Sequence, residues 1–216
     1  MSNRVTVVDY GIGNLYSVQR AFESCGAEVS FASDAQGLDE AERVVLPGVG
    51  AFADGMQGLR DRGLIDPLRR VAASGRPMLA ICLGMQMLAT ASEEFGRHEG
   101  LSIIPGKVVS IPDKDATGRA QKIPHVGWNA LVAASGADWG CTALKNTEAG
   151  TSVYLVHSYH VVTDDPSHLL AVCEYGGHRI TAAIHSSRIL GCQFHPEKSG
   201  REGLKIVQSF LRIEAA

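Results

Sequence analysis

The sequence lacks the features that mark a membrane protein, a disulfide scaffold or a nucleic-acid binder. No apolar run approaches the roughly 20 residues that a membrane-spanning helix needs, and no leader pattern precedes the strand-like segment at Val5. Cysteine is scarce. Its five residues form no closely spaced pairs, which argues against a disulfide framework or zinc ribbon and for a reducing cytoplasm. Basic excess is missing too: a net charge of −3 gives no footing for nucleic acid. Neither a repeat nor a long linker interrupts the chain, so residues 1–216 read as one domain, ample for its own core.

What is present is an alternation of short apolar runs with amphipathic stretches. Val5–Val8, Val29–Phe31, Val44–Leu46 and Met78–Ile81 read as buried strands. Between them lie helical patterns. Asn14 caps one that carries Leu15, Val18, Phe22 and Cys25 on one face and ends at Gly26. Phe52, Met56 and Leu59 mark another, closed by Gly63; Pro67 opens a third, ended by Ser74-Gly75. Alternation of this kind predicts a mostly parallel, flavodoxin-like sheet with helices on both faces, a three-layer α/β sandwich. Ligands then bind beyond the carboxyl ends of the strands. From about Gly100 the pattern changes. Lys107–Ile111, Ser152–Val156, Leu170–Cys173 and Arg179–Ile184 read as an antiparallel or mixed extension, with hairpin turns at Tyr175–His178 and Ser186-Ser187. Pro112–Arg119 reads as a polar surface loop. An amphipathic helix through Leu204, Val207, Phe210 and Leu211 closes the chain.

Cys82 stands at the join between the Met78–Ile81 strand and a helix read through Leu83, Met87, Leu88 and Ala91. A strand passing into a helix through one residue forces a sharp elbow, and Gly84 removes the side chain that would obstruct it. The elbow lifts the thiol over a helix N-terminus, where unpaired N–H groups favour thiolate and can hold an oxyanion. A core cysteine is the plain alternative. Pro47-Gly48-Val49-Gly50 follows the neighbouring strand and reaches the same edge; its backbone can approach a ligand or reorient its peptide planes. Gly11-x-Gly13 lacks the third glycine of a dinucleotide fingerprint, where Tyr16 stands, and reads as a tight turn.

Ile189–Phe194 leads into His195-Pro196-Glu197. In extended backbone, residues two apart share a side, so His195 and Glu197 suit a base and its orienter; a surface pair at a strand end is the alternative. Cys82, His195 and Glu197 together provide a nucleophile, a proton shuttle and an orienting carboxylate, with backbone N–H groups of Leu83 and the Pro47–Gly50 loop for the oxyanion. His157 and His160 are a poor metal pair, since residues three apart in a strand face opposite ways; one buried and one exposed histidine is expected, and no metal or cofactor is called for.

The Cys82-Leu83-Gly84-Met85-Gln86 elbow and the His195-Pro196-Glu197 triplet resemble those of triad-type (class I) glutamine amidotransferases. Finer motifs resemble one branch, the glutaminase subunits of imidazole glycerol phosphate synthase. They are Val8–Leu15, Leu46–Phe52, Pro124-His125-Val126-Gly127-Trp128-Asn129, Val156-His157-Ser158-Tyr159 and Gln193–Gly200. The resemblance runs from Val5 to Phe210 and implies hydrolysis of L-glutamine to glutamate and ammonia through a cysteinyl thioester. It implies docking on a (β/α)₈ cyclase subunit as a heterodimer, with ammonia passing across the interface to make imidazole glycerol phosphate and an aminoimidazole carboxamide ribotide. It also implies glutaminase activity that waits on nucleotide in the partner. By position, Cys82 would be nucleophile, His195 base and acid, and Glu197 its orienter. Val49, through a peptide flip, and Leu83 would offer oxyanion N–H groups. Gly50, Gln86, Glu94, His157, Ser158 and Tyr159 would hold the substrate's amino-acid end, and Pro124 and His125 would meet the partner. Ala80 departs from the glycine usual two before the cysteine, a small intrusion; residues 112–122 and 133–150 are poorly matched. Sister subunits serving guanylate, anthranilate or pyridoxal phosphate synthesis share the triad and are disfavoured by the finer motifs. A redox-sensing flavodoxin-like protein would leave His195 and Glu197 unemployed.

Overall fold

A computed structural model describes residues 3–214. The lead-in read at Met1 and Ser2 lies outside them. The first half alternates as its apolar pattern predicts: β1 (Arg4–Val8), α1 (Leu15–Ser24), β2 (Glu28–Ala32), α2 (Ala35–Asp39), β3 (Val44–Leu46), α3 (Phe52–Asp61), α4 (Ile65–Ala73), β4 (Met78–Ile81) and α5 (Leu83–Met87). Asn14 caps α1, its side chain accepting the Ser17 N–H at 3.2 Å. The short α2 had no counterpart in the apolar pattern. Next come β5 (Ala91–Ser92), β6 (His98–Glu99), β7 (Gly106–Ser110), β8 (His125–Ala130), β9 (Val132–Ala133), β10 (Ser152–His157) and β11 (Tyr159–Thr163). The chain closes with β12 (Leu169–Tyr175), β13 (His178–Ser186), β14 (Ile189–Cys192) and α6 (Gly200–Leu211).

Eight strands form the central sheet in the order β2-β1-β3-β4-β14-β13-β12-β9. The β2-to-β14 part is parallel, and β13, β12 and β9 extend it antiparallel. Two of the expected extension strands leave this sheet. Lys107–Ile111 falls in β7 of a separate sheet, β11-β7-β5-β6, and Ser152–Val156 falls in β10, paired only with β8. One core layer joins the sheet to α1 and α6, with Phe22 and Phe210 edge to face at 6.1 Å. The opposite layer packs Phe52, Met56, Leu59, Leu68 and Val71 of α3 and α4 with Met85 of α5. This is the three-layer sandwich expected.

The elbow at Cys82 is built by subtraction. Strand β4 is fully buried, so the next helix must turn off it within one residue. Cys82 takes φ 55° and ψ −112°, a left-handed backbone that an L side chain adopts only under constraint. A Cβ on Gly84 would collide with the Leu46 carbonyl oxygen of the neighbouring strand, so only glycine lets α5 start there. The helix also stops sooner than its apolar spacing predicts. N–H groups of Leu101, Ile103 and Ser102 take the carbonyls of Met87, Leu88 and Ala89 at 2.8, 2.9 and 3.1 Å, so the ladder cannot continue to Ala91.

Gly84→Ala is expected to destabilise the fold by at least about 2 kcal/mol, the scale of an unrelieved core clash. Gly50→Ala, where φ is 94° but no atom lies within 4 Å, should cost about 1 kcal/mol. Urea unfolding of the two variants checks the order; equal losses would contradict it.

Candidate active site

Every residue expected at the site except Glu197 and His125 lines one cavity of about 270 Å³, joined by Val156. Cys82 sits at its floor, 8% exposed, at the carboxyl edge of β4 as the sheet topology requires. Its backbone is tied on both sides. The Cys82 N–H donates to the Cys192 carbonyl of β14 at 2.7 Å, and its own carbonyl accepts from Gln86 N–H at 3.2 Å.

His195 and Glu197 meet, but not by strand alternation. Strand β14 ends at Cys192; His195 begins a one-turn 3-10 helix at Pro196–Lys198, with Glu197 on its first turn. Pro196 has no N–H to lose there, and the turn brings His195 Nδ1 within 2.7 Å of Glu197 Oε1. Both side chains are 3% exposed. Burial opposes the imidazolium, yet Cys82 and Glu197 on either side outweigh it and push His195 up to about 9. Glu197 fixes Nδ1 as the protonated nitrogen, so Nε2 is the one free to exchange a proton; it makes no well-aligned hydrogen bond in the resting chain. Further bonds hold His195 by its backbone. Its N–H donates to the Tyr154 carbonyl at 3.0 Å and its carbonyl accepts the Ser199 hydroxyl at 2.7 Å, while Tyr154 N–H donates to Ser199 Oγ at 3.0 Å.

The oxyanion donors are not assembled. Leu83 N–H donates to the Gly48 carbonyl at 3.3 Å. That carbonyl shares a peptide plane with the Val49 N–H, and in a trans peptide the two point opposite ways, so the Val49 N–H is turned from the site. The loop is pinned at both ends: Tyr10 O–H donates to the Pro47 carbonyl at 2.8 Å, and Phe52 N–H donates to Glu94 Oε2 at 2.6 Å. Gly48-Val49-Gly50-Ala51 lies between the clamps, its Gly48 carbonyl held by Leu83 N–H and its Ala51 carbonyl by Gly55 N–H.

The substrate arm is a network of amides and imidazoles. Gln86 Nε2 donates to the Tyr159 carbonyl at 3.1 Å and to Gln193 Oε1 at 3.0 Å. The same Tyr159 carbonyl lies 2.9 Å from His157 Nδ1, so Nδ1 carries the proton and His157 Nε2 accepts from His125 Nδ1 at 3.1 Å. Burial, aided by the nearby His125, His160 and His195, pushes His157 down to about 3, and burial lowers His125 as well, so both are neutral donors near pH 7. His125 is 4% exposed and stacked on Tyr175 at 4.1 Å; it lies behind the surface on which Pro124 is exposed. The expectation of one buried and one exposed histidine at 157 and 160 fails: both are buried, at 5% and 9%. Ser158 interrupts the strand between β10 and β11, so alternation does not carry across it. Among the described residues no group of three or more His, Cys, Asp and Glu is placed to hold a metal, and no helix is long and apolar enough to cross a membrane.

Three residues carry the site without having been given a role in the sequence. Tyr10 pins the glycine loop, Ser199 clips the His195 backbone, and Gln193 Nε2 lies 3.7 Å from Cys82 Sγ. Each lies inside a motif quoted above, Tyr10 in Val8–Leu15 and Gln193 and Ser199 in Gln193–Gly200, but the motifs alone assign none of them a contact.

Glu197→Gln should lower the His195 midpoint from about 9 toward its ordinary value of 6.5, since it removes one of the two groups that favour imidazolium. Titration of the His195 ring by NMR checks this; an unmoved midpoint would mean Cys82 alone sets it.

The family described as glutamine amidotransferase class-I matches residues 6–213. Imidazole glycerol phosphate synthase subunit HisH 1 of Legionella pneumophila (strain Paris) is 51% identical over 97% of this chain and 99% of its own length. The HisH subunits of Geobacter sulfurreducens and Syntrophotalea carbinolica are 45% and 44% identical, over 96% and 95% of this chain and 97% and 98% of theirs. Among solved structures, the fold is similar to PurLQS of Thermotoga maritima, with a TM-score of 0.72 and 22% identity over 98% of each chain. The chain belongs to the class I glutamine amidotransferases and, within them, to the HisH subunits of imidazole glycerol phosphate synthase.

Proposed function

We propose that this chain hydrolyses L-glutamine through Cys82 and delivers the ammonia to a (β/α)₈ cyclase subunit, as the glutaminase half of imidazole glycerol phosphate synthase in histidine biosynthesis. The observation that carries the chemistry is the buried His195–Glu197 pair beside the Cys82 elbow, with Cys82 and His195 lining one cavity. The Cys82 sulfur attacks the carboxamide carbon of glutamine. As the C–N bond breaks, His195 gives its proton to the leaving nitrogen and ammonia departs, leaving a thioester on Cys82. His195 then takes a proton from water, which attacks the thioester; glutamate leaves and the thiol is restored. Glu197 holds the ring through both halves. Gly50, Gln86, Glu94, His157, Ser158 and Tyr159 line the cavity where the amino-acid end would sit.

The oxyanion is the step the resting chain does not support. Leu83 N–H is occupied by the Gly48 carbonyl, so productive attack needs the Gly48–Val49 peptide to rotate. Rotation removes the blocking carbonyl, frees Leu83 N–H and turns Val49 N–H inward, adding two donors in one movement. Glycines on both sides of Val49 make the rotation accessible while the Tyr10 and Glu94 clamps hold the ends. A partner that binds the rotated loop better than the resting one would switch the activity on. Pro124 lies exposed at the rim of the cavity, and Val126 and Trp128 project beside it, 50% and 58% exposed. An apolar rim around a gas-sized product suits docking and transfer without release to water.

Cys82→Ala should abolish glutamine-dependent turnover by the assembled synthase while free ammonia still supports the cyclase; surviving glutamine dependence would remove Cys82 as nucleophile. Val126→Glu sets a charge on the apolar rim and should weaken association by at least about tenfold in a titration calorimeter. Unchanged affinity would move the interface elsewhere.

A further inference from the structure

A fully buried carboxamide beside the nucleophile has no task in the proposed reaction. Gln193 is 0% exposed and does not line the cavity, yet it lies between the nucleophile and the substrate arm. Its Nε2 is 3.7 Å from Cys82 Sγ, within range for a sulfur acceptor, and its Oε1 accepts from Gln86 Nε2 at 3.0 Å.

A carboxamide can be turned end for end, so which end faces the sulfur has to be argued from its partners. The Tyr159 carbonyl settles it. A carbonyl oxygen only accepts, so the group that Gln86 presents at 3.1 Å must be its NH₂. The same NH₂ meets Gln193 at 3.0 Å, so the Gln193 atom there must be its oxygen. That leaves the Gln193 NH₂ facing Cys82. His157 Nδ1 also donates to the Tyr159 carbonyl, at 2.9 Å, so one backbone oxygen sets the orientation of Gln86, Gln193 and His157.

The geometry points to Gln193 as a positioning residue for the nucleophile. Its buried N–H is aimed at the Cys82 sulfur and favours the anionic sulfur over the thiol. The inference rests on Cys82 as the attacking group. An N–H donor stabilises a thiolate more than a thiol, and the preference grows where water is excluded. It complements His195, which handles the proton, by acting on the sulfur from a group that never titrates. Among the described residues, the other charged or titratable groups around the thiol are Tyr10 after β1, Cys192 of β14, His195 with Glu197 behind it, and Glu94, His157 and Tyr159 across the cavity. A variant at 193 leaves all of them in place.

The test is alkylation of the full chain by iodoacetamide across a pH series, with the Cys82 peptide quantified by mass spectrometry and the exposed Cys141 as internal standard. Gln193→Met keeps the volume and removes the donor. Its Cys82 alkylation curve should move to higher pH, with Cys141 unchanged. An unmoved Cys82 midpoint in the folded variant would overturn the assignment. If that variant does not fold, the wild-type chain still decides: the assigned Gln193 side-chain NH₂ resonances should shift as Cys82 ionises, and static resonances would overturn it. Failure of the glutaminase reading would look different, as no glutamate release from a chain whose Cys82 midpoint still depends on Gln193.

Discussion

The site depends on one backbone conformation, the left-handed turn at Cys82. Such a conformation costs about 1–3 kcal/mol for a residue with a side chain and persists only where the surroundings hold it. Here the hold comes from β14, which accepts the Cys82 N–H, and from the start of α5, whose Gln86 N–H takes the Cys82 carbonyl. Gly84 allows that start against the Leu46 carbonyl. The thiol is aimed by strand pairing in the interior of the sheet rather than by a loop. His195 follows from the same pairing: β14 lies beside β4, so the residues after it emerge next to the elbow.

Beside this strand-held pair lies the loop whose rotation is proposed. Pro47–Phe52 is clamped by Tyr10 at one end and Glu94 at the other, and the peptide between carries its carbonyl where an oxyanion donor is needed. In the proposed reading, nucleophile and base are therefore preorganised while the oxyanion site is withheld. A glutaminase whose ammonia is useful only to a partner gains from that division, because hydrolysis without the partner wastes substrate. The proposed switch needs no change in the sheet.

Much of this was legible in the sequence, because the central strands and the α1, α3 and α4 helices obey the simple periods of buried strand and amphipathic helix. Cys82, Gly84 and the His195–Glu197 pair were also legible, since an elbow and a base with its orienter leave a local signature. The contact of the pair, however, arises from a 3-10 turn that begins at Pro196 rather than from strand alternation. What stayed hidden was set by distant backbone. The early end of α5 follows from carbonyls captured by residues 101–103, and the burial of both His157 and His160 from the break at Ser158. The occupied Leu83 N–H and the role of Gln193 depend on segments far apart in sequence, which no local pattern reports.

The most direct test is glutamate release from glutamine, measured for this chain alone and then with a cyclase subunit and its nucleotide substrate. The account predicts feeble release alone, because the Gly48 carbonyl fills the oxyanion position, and a steep rise in the mixture. Full activity from the isolated chain, indifferent to the cyclase, would contradict it.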